Sequence, residues 1–384
     1  MKILFVTCNG VEDAAFGGAK ASIRNYELLR QSGEVEVYHI RHKSALRSLL
    51  SGLQGNFPPA DNGDIRVVLE KLEEGVRRGG PWDMVFFDGS HFGNMVRAVK
   101  RRGVKTVVFF HNCEYDYIDV RFGKKKSLKK TVYKHLIEKQ EGRAARLADK
   151  RIAFTPRDAD RIKELYGPED TEVIPLSLKD IFPGAEFYQG QATQPAPPEQ
   201  LASPGELAAP GGTTPPWSAA CLLFGPLGQA NEEGFGWFVE KVSPGLSCRT
   251  LVAGKGFEAY RERWGSGKVE VVGTVENVAE LYGRASCVAI PLLSGGGMKI
   301  KTAEALMFGK TVFGTGEAFA GYEEELPRAG VLCNTAEDFV REINGFLAGG
   351  GKAYNPEARR LYEERYSLEA SGREFKRVIE ELCP

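Results

Sequence analysis

The sequence predicts an α/β protein of two Rossmann-like units in series, facing across a cleft. Three observations carry that prediction. Short apolar segments rich in β-formers recur, and helical stretches separate most of them, the rhythm of a parallel sheet covered on both faces. The rhythm breaks once, over 181–219, where GQATQPAPPEQLASPGELAAPGGTTPP is dense in Pro, Ala and Gly. It then restarts. A chain of 384 residues has length for two or three domains, and each half is long enough to bury its own core.

In order, KILFVTC at 2–8 reads as a buried strand. A loop ending in Gly17-Gly18 follows. A helix then runs from Ala19 to about Gln31, with Ile23, Tyr26, Leu28 and Leu29 on its apolar face and Gly33 as its stop. Further strands are read at 35–40, 82–88, 105–110, 150–155 and 171–175. Beyond the break, strands are read at 220–225, 250–254, 269–273, 287–292 and 310–314. Helices are placed at 234–242, 278–285 and 299–308, and from Pro356 onward. The expected organisation is a first unit over 1–180, a linker or excursion over 181–219, a second unit over 220–355, and a helical tail over 356–384 packing back on the first. In such sheets ligands bind at the carboxyl ends of the strands, near switch points.

The chain holds 51 basic and 51 acidic side chains, a formal charge of zero. That balance argues against a protein that coats nucleic acid. It is an average: residues 1–180 are net +7 and residues 181–384 net −7. Seven cysteines are scattered singly without a CxxC, which argues against a disulfide framework or structural zinc and for a reducing compartment. MKILFVTC lacks a signal-peptide core, and no run reaches the ~18 apolar residues of a transmembrane helix. A cytoplasmic protein, peripheral on a membrane's inner face at most, is expected.

Three motifs can carry chemistry. Gly17-Gly18-Ala19 lies between a strand and a helix, where backbone can approach a phosphate; a tight turn explains it equally well. His111-Asn112-Cys113-Glu114 follows a buried strand. There His111 can donate to a substrate hydroxyl or phosphate and Glu114 can accept from a hydroxyl, against the plain alternative of a capped turn. The sharpest is Ser294-Gly295-Gly296-Gly297-Met298-Lys299-Ile300-Lys301-Thr302-Ala303-Glu304. Three glycines open a helix with lysines in its first turn, where cations oppose the helix dipole. A bound anion explains that placement: the set makes a diphosphate cradle, with Glu304 available to the vicinal hydroxyls of a ribose, against the plain alternative of a flexible loop with solvated lysines. It is not a Walker motif. Gly225, Lys255 and Val275 sit at strand-to-loop junctions of the second unit, as contacts to phosphate, hydroxyl or base, or as plain turns. The run 121–151 carries twelve basic residues against Glu138, Glu141 and Asp149. It suits an anionic membrane surface or a solvated helix face.

Taken in order, the GGA loop, HNCE, Val173-Ile174-Pro175-Leu176, Phe224-Gly225, Gly273-Thr274-Val275 and GGGMKIKTAEALMFGKTVFGT resemble the group 1 (family 4-type) glycosyltransferases of GT-B architecture. The resemblance covers nearly the whole chain, and 295–315 is its most specific part. It implies a nucleotide-diphosphate sugar held mainly by the second unit, and a saccharide or lipid-linked acceptor on the first. It also implies retention of anomeric configuration, no metal and no cofactor besides the donor substrate. Matched residue by residue, Glu304 stands at the ribose-binding glutamate, Lys299 and Lys301 at the diphosphate contacts, and His111 at the histidine touching the donor sugar. Gly17 and Gly18 stand at the loop approaching phosphate and acceptor. Gly295, Gly296, Gly297 and Met298 complete the donor turn, and Asn112 and Glu114 face the acceptor side. Catalysis is expected to rest on His111, Lys299 and Glu304.

Two departures stand out. The family's E-x7-E pattern has Gly296 at its first position here, and the loop GPLGQANEEG lacks the basic residues often found there. The expected function is transfer of a sugar to an acceptor hydroxyl in surface polysaccharide or glycolipid assembly. The alternatives are a GT-B-type nucleotide-sugar epimerase and a catalytically impaired nucleotide-sugar-binding protein.

Overall fold

The computed structural model describes residues 1–11, 17–123, 127–185 and 220–383. Most of the 181–219 excursion and Lys124, Lys125 and Lys126 of the basic run lie outside them. The chain divides into two compact units. One comprises Met1–Lys179, Gly295–Ile300 and Arg365–Pro384; the other comprises Asp180–Ser294 and Lys301–Glu364.

The first unit is built on six parallel strands: β1 (Lys2–Thr7), β2 (Glu34–His39), β3 (Met84–Asp88), β4 (Lys105–Phe110), β5 (Lys150–Ala153) and β6 (Thr171–Val173), in the spatial order β2-β1-β3-β4-β5-β6. Their connections supply α1 (Gly17–Arg30), α2 (Ala45–Leu53), α3 (Asn62–Arg77), α4 (Gly93–Lys100), α5 (Glu114–Phe122), α6 (Leu128–Leu147) and α7 (Pro156–Tyr166). The middle strands are apolar runs because both their faces are covered: Ile3–Val6, Met84–Phe87 and Val107–Phe110 are fully buried. Local signals set the helix ends. Asp61 and Asp64 form a reciprocal capping box at α3. Thr155 caps α7, Pro156 opens it, and Gly167 closes it in the left-handed region.

The helix Leu368–Leu382 completes this unit. Leu178 N donates to Tyr366 O, and Leu368 N donates back to Leu178 O. Phe375, Val378 and Ile379 are buried, and Phe375 lies 5.7 Å from the Phe86 ring.

The second unit repeats the plan with β7 (Ala220–Phe224), β8 (Arg249–Ala253), β9 (Val269–Gly273), β10 (Cys287–Ile290), β11 (Val312–Gly314) and β12 (Gly330–Leu332), ordered β12-β11-β10-β7-β8-β9 and all parallel. The strand β12 carries no sequence signal: it has three residues, opens on a glycine, and is ordered by pairing with β11. One element starts later than the sequence suggests. The helix after the triple glycine runs from Ile300 to Met307, so Lys299 stands ahead of it and the glycines form a loop.

In both sheets the chain leaves the first strand in one direction and returns on its other side. The switch points therefore fall between β1 and β3 and between β7 and β10; Gly17-Gly18, Gly225 and the triple glycine follow β1, β7 and β10, strands that border them.

Candidate functional site

At the switch point of the first unit, Thr7 and Asp88 are register partners at the carboxyl ends of β1 and β3. Asp88 is buried and fully satisfied. It accepts from Thr7 Oγ1 at 2.8 Å, Ser22 Oγ at 2.5 Å, Asn25 Nδ2 at 2.8 Å and His111 Nε2 at 2.9 Å. Ser22 and Asn25 come from α1, which starts at Gly17 itself rather than after a Gly17-Gly18 turn, so its first turns are tied to the site. His111 lies just past β4, with its ring against Phe109 and Phe154.

Burial works against a charged imidazole here, but Asp88, by attraction and by the hydrogen bond, outweighs it and raises the His111 pKa. Burial likewise pushes the Asp88 carboxyl up, and His111 together with the hydroxyl and amide donors pulls it below its usual value. The two shifts together favour the charged form of the pair, imidazolium beside carboxylate. His91, buried nearby on Phe92 and Phe57, is driven the other way, to a pKa of about 4, by burial and by the His111 charge.

The remainder of HNCE is anchored from below. Glu141 of α6, fully buried, accepts from the backbone N–H groups of Glu114 and Tyr115 at 2.9 and 3.1 Å, from Ser90 Oγ at 2.7 Å and from Tyr166 Oη at 3.0 Å. A carboxylate from another helix therefore satisfies the open N–H groups at the start of α5. Burial raises the Glu141 pKa to about 7. Burial also raises that of Glu114, against the pull of Asn112 and His111. Glu114 is the first residue of α5.

The glycine loop groups with this unit, and its backbone lies on Asn112. A Cβ at Gly296 would stand 3.0 Å from the Tyr117 ring and 3.3 Å from Asn112 Oδ1; at Gly297, where φ is +56°, it would stand 2.5 Å from Asn112 Oδ1. Met298 is buried, and its sulfur accepts from Leu176 N at 3.3 Å. Lys299 Nζ donates to the carbonyls of Gly296 and Gly297 at 3.1 and 2.7 Å. The lysine thus braces the turn on which it sits. The departure at Gly296 has a physical reason: that position faces Tyr117 and Asn112 closely, where no side chain fits unless they move.

In the second unit, Gly225 follows β7 with φ at +153°. A Cβ there would stand 2.8 Å from Asn231 Nδ2 and 3.1 Å from Lys301 Nζ. Lys301 donates to Asn231 Oδ1 and lies 5.1 Å from the centre of the Phe235 ring. Asn231 in turn donates to Pro226 O at 2.7 Å. Two helices and the end of β7 therefore converge on one ammonium beside bare backbone. Glu304 is buried in the helix Ile300–Met307. Lys255 is exposed and Val275 half-buried, each in the loop after its strand. Glu258 stitches those loops together, accepting from Gly256 N and Thr274 N at 2.7 and 2.6 Å. The Thr274 hydroxyl is the main cause that holds the Glu258 pKa down to about 2.

His111, Asn112, Glu114 and the Gly295–Lys299 turn are thus gathered in the first unit, together with Gly18 at the start of α1. Gly225, Lys301, Glu304, Lys255 and Val275 are in the second. Sequence reasoning missed Asp88, Glu141, Asn231 and Glu258. Asp88 carried a usable signal, an acidic residue closing an apolar strand; the other three lie on helices or turns and are brought in by the fold.

Residues 219–348 match the family model described as glycosyl transferases group 1. No curated protein matches the chain in sequence. Among solved structures, the chain is similar to HepE of Anabaena in complex with UDP, at 14% identity and a TM-score of 0.67 over 99% of this chain and 100% of that one. It is similar to sucrose-phosphate synthase of Thermosynechococcus elongatus at 13% and 0.68, over 99% and 98%. It is also similar to a glycosyltransferase of Rickettsia africae at 16% and 0.63, over 99% and 98%. At these identities the structures speak for the fold, and the family match speaks for the second unit. Residues 219–348 are therefore similar to the group 1 glycosyl transferases, and the whole chain shares the fold of solved GT-B glycosyltransferases.

Proposed function

We propose that this glycosyltransferase moves a sugar from a nucleotide-diphosphate donor to a hydroxyl of a saccharide or lipid-linked acceptor, with retention and without a metal. The observation that supports this most is Lys301 held beside Gly225, inside the family-matched segment. An ammonium fixed by Asn231 and a neighbouring backbone stripped of side chains suit an anionic oxygen at close range. HepE has been solved with UDP, with UDP-glucose, and with UDP and glucose, and we infer the same class of donor here.

In this reading the second unit holds the nucleotide, with Glu304 on the ribose and Lys301 on the diphosphate. The first unit presents His111 to the donor sugar and Asn112 and Glu114 to the acceptor. An imidazolium held by Asp88 donates to a sugar hydroxyl and offsets charge as the diphosphate departs. The departing phosphate oxygen takes the acceptor proton. Lys299, bracing the glycine turn, keeps its backbone in the shape the leaving group requires.

A place in surface polysaccharide or glycolipid assembly, on the inner face of a membrane, is part of the proposal. Among the described residues no helix is long and apolar enough to cross a membrane. The run 121–151 contributes charge at an anionic surface in this reading, although several of its cations already have partners: Lys130 and Lys134 pair with Asp119, and Lys150 with Glu172 and Glu381. The test is nucleoside diphosphate release from a panel of nucleotide sugars. Release from one donor, lost in Lys301→Ala, is the expected result; no release from any donor refutes the reading.

A further inference from the structure

The helix α2 is amphipathic the wrong way round for a helix of a globular domain. Leu46, Leu49, Leu50 and Leu53 are 67%, 62%, 48% and 77% exposed, while Ser51 is buried and donates to Ala60 O. Gly52 faces Leu136 of α6. At 3.6 residues per turn the four leucines fall within an arc of about 100°. The small residues Ser51 and Gly52 face the protein, and the apolar stripe faces out.

Beside the stripe lies a groove of about 650 Å³ whose lining includes Tyr38, Arg41, His42, Lys43, Arg47 and the Asp64 carboxylate. Lys43 is engaged by Asp61 and Asp64. Arg41 and Arg47 are exposed and form no ion pair among the described residues. On α6, whose Leu136 side chain approaches Gly52, Leu128 is 81% and Val132 46% exposed. Exposed leucines rimmed by cations match the depth order of a bilayer, acyl chains first and phosphates above them. A nine-residue helix falls well short of the roughly 20–30 residues a side that a stable protein interface takes.

We propose that α2 docks this protein on an anionic phospholipid bilayer, its leucine stripe entering the acyl boundary and the Arg41–Arg47 groove taking lipid phosphates. This deepens the membrane placement proposed above: α2 is the anchor, the 121–151 run contributes charge, and docking acts whether or not transfer occurs.

The test is co-sedimentation of the full chain, without donor, with phosphatidylcholine vesicles containing or lacking phosphatidylglycerol. Binding is expected only to the anionic vesicles, and at least about tenfold weaker for Leu49→Glu/Leu53→Glu and for Arg41→Glu/Arg47→Glu. All four positions are exposed, so the variants keep the wild-type circular dichroism. Equal binding by wild type and variants overturns the proposal, as does no binding by wild type. A dimer in light scattering that Leu49→Glu/Leu53→Glu dissociates overturns it in favour of a second copy. Release by millimolar inorganic phosphate reassigns the groove to free anions and overturns the lipid assignment.

Discussion

Replacing Asp88 by Asn tests the geometry at the first switch point. The carboxylate is fully buried, and its partner His111 keeps 15% of its side chain exposed. Removing one member of such a pair costs about 3–5 kcal/mol. Asn keeps the shape and one acceptor, and the Thr7 and Ser22 hydroxyls can turn, so the lower end applies, about 3 kcal/mol. The cost depends on pH. His111 has a raised pKa, so its contribution is full below the unfolded value near ~6.5 and fades as pH rises through the higher folded value. Asp88 has a lowered pKa, so its contribution is present above ~3.9 and fades below that. The gap between wild type and Asp88→Asn is therefore widest between about pH 4 and 6.5 and narrows in mild alkali. The assay is urea unfolding followed by amide exchange in β1 and β3, with NMR titration of the His111 ring. In the variant the Asp88 attraction is gone while burial and Arg24 still act downward against Glu114, so the ring titrates lower than in wild type. An unshifted titration, or a stability gap flat with pH, refutes the ion pair.

Three other outcomes follow from named contacts. Glu141 titrates near 7 when folded against 4.5 ordinarily, so its stability is full below about 4.5 and is lost through 7; urea midpoints of Glu141→Gln should gain on wild type by about 3 kcal/mol across that window. Gly297→Ala puts a Cβ 2.5 Å from Asn112 Oδ1 at a φ of +56°, costing about 1–3 kcal/mol, read as a lower melting temperature with shifted Asn112 amide resonances. Gly225→Ala crowds Asn231 and Lys301 at a φ of +153° and should weaken nucleoside diphosphate binding about tenfold in calorimetry, with a melting temperature lowered by the backbone strain.

The sheets were legible in the sequence because parallel strands buried on both faces read as unbroken apolar runs, as MVFF in β3 and VVFF in β4 do. The strand β12 was not, because three residues opening on Gly330 carry no period. The triple glycine looked like a helix start; the structure makes it a loop lying on Asn112, with Lys299 turned back on its carbonyls. His111 was legible by its place at a strand end, but its charge was not, since that is set by Asp88 on a neighbouring strand. Glu141 was read only as an opposing charge in a basic run. Its burial under α5 depends on how α6 packs, which periodicity does not encode. The inverted face of α2 follows from the same limit: four leucines at helical spacing look like core until the fold shows which side faces out.

The second unit is proposed to bind a nucleoside diphosphate through Lys301 and Glu304. Calorimetric titration of UDP, and of the other nucleoside diphosphates in turn, into wild type, Lys301→Ala and Glu304→Ala is the decisive test. Saturable binding of one nucleotide is expected and, for each variant, a loss of about 10–100-fold, the worth of a charge-assisted hydrogen bond. Binding unchanged in both variants, or absent from wild type for every nucleotide, would contradict it.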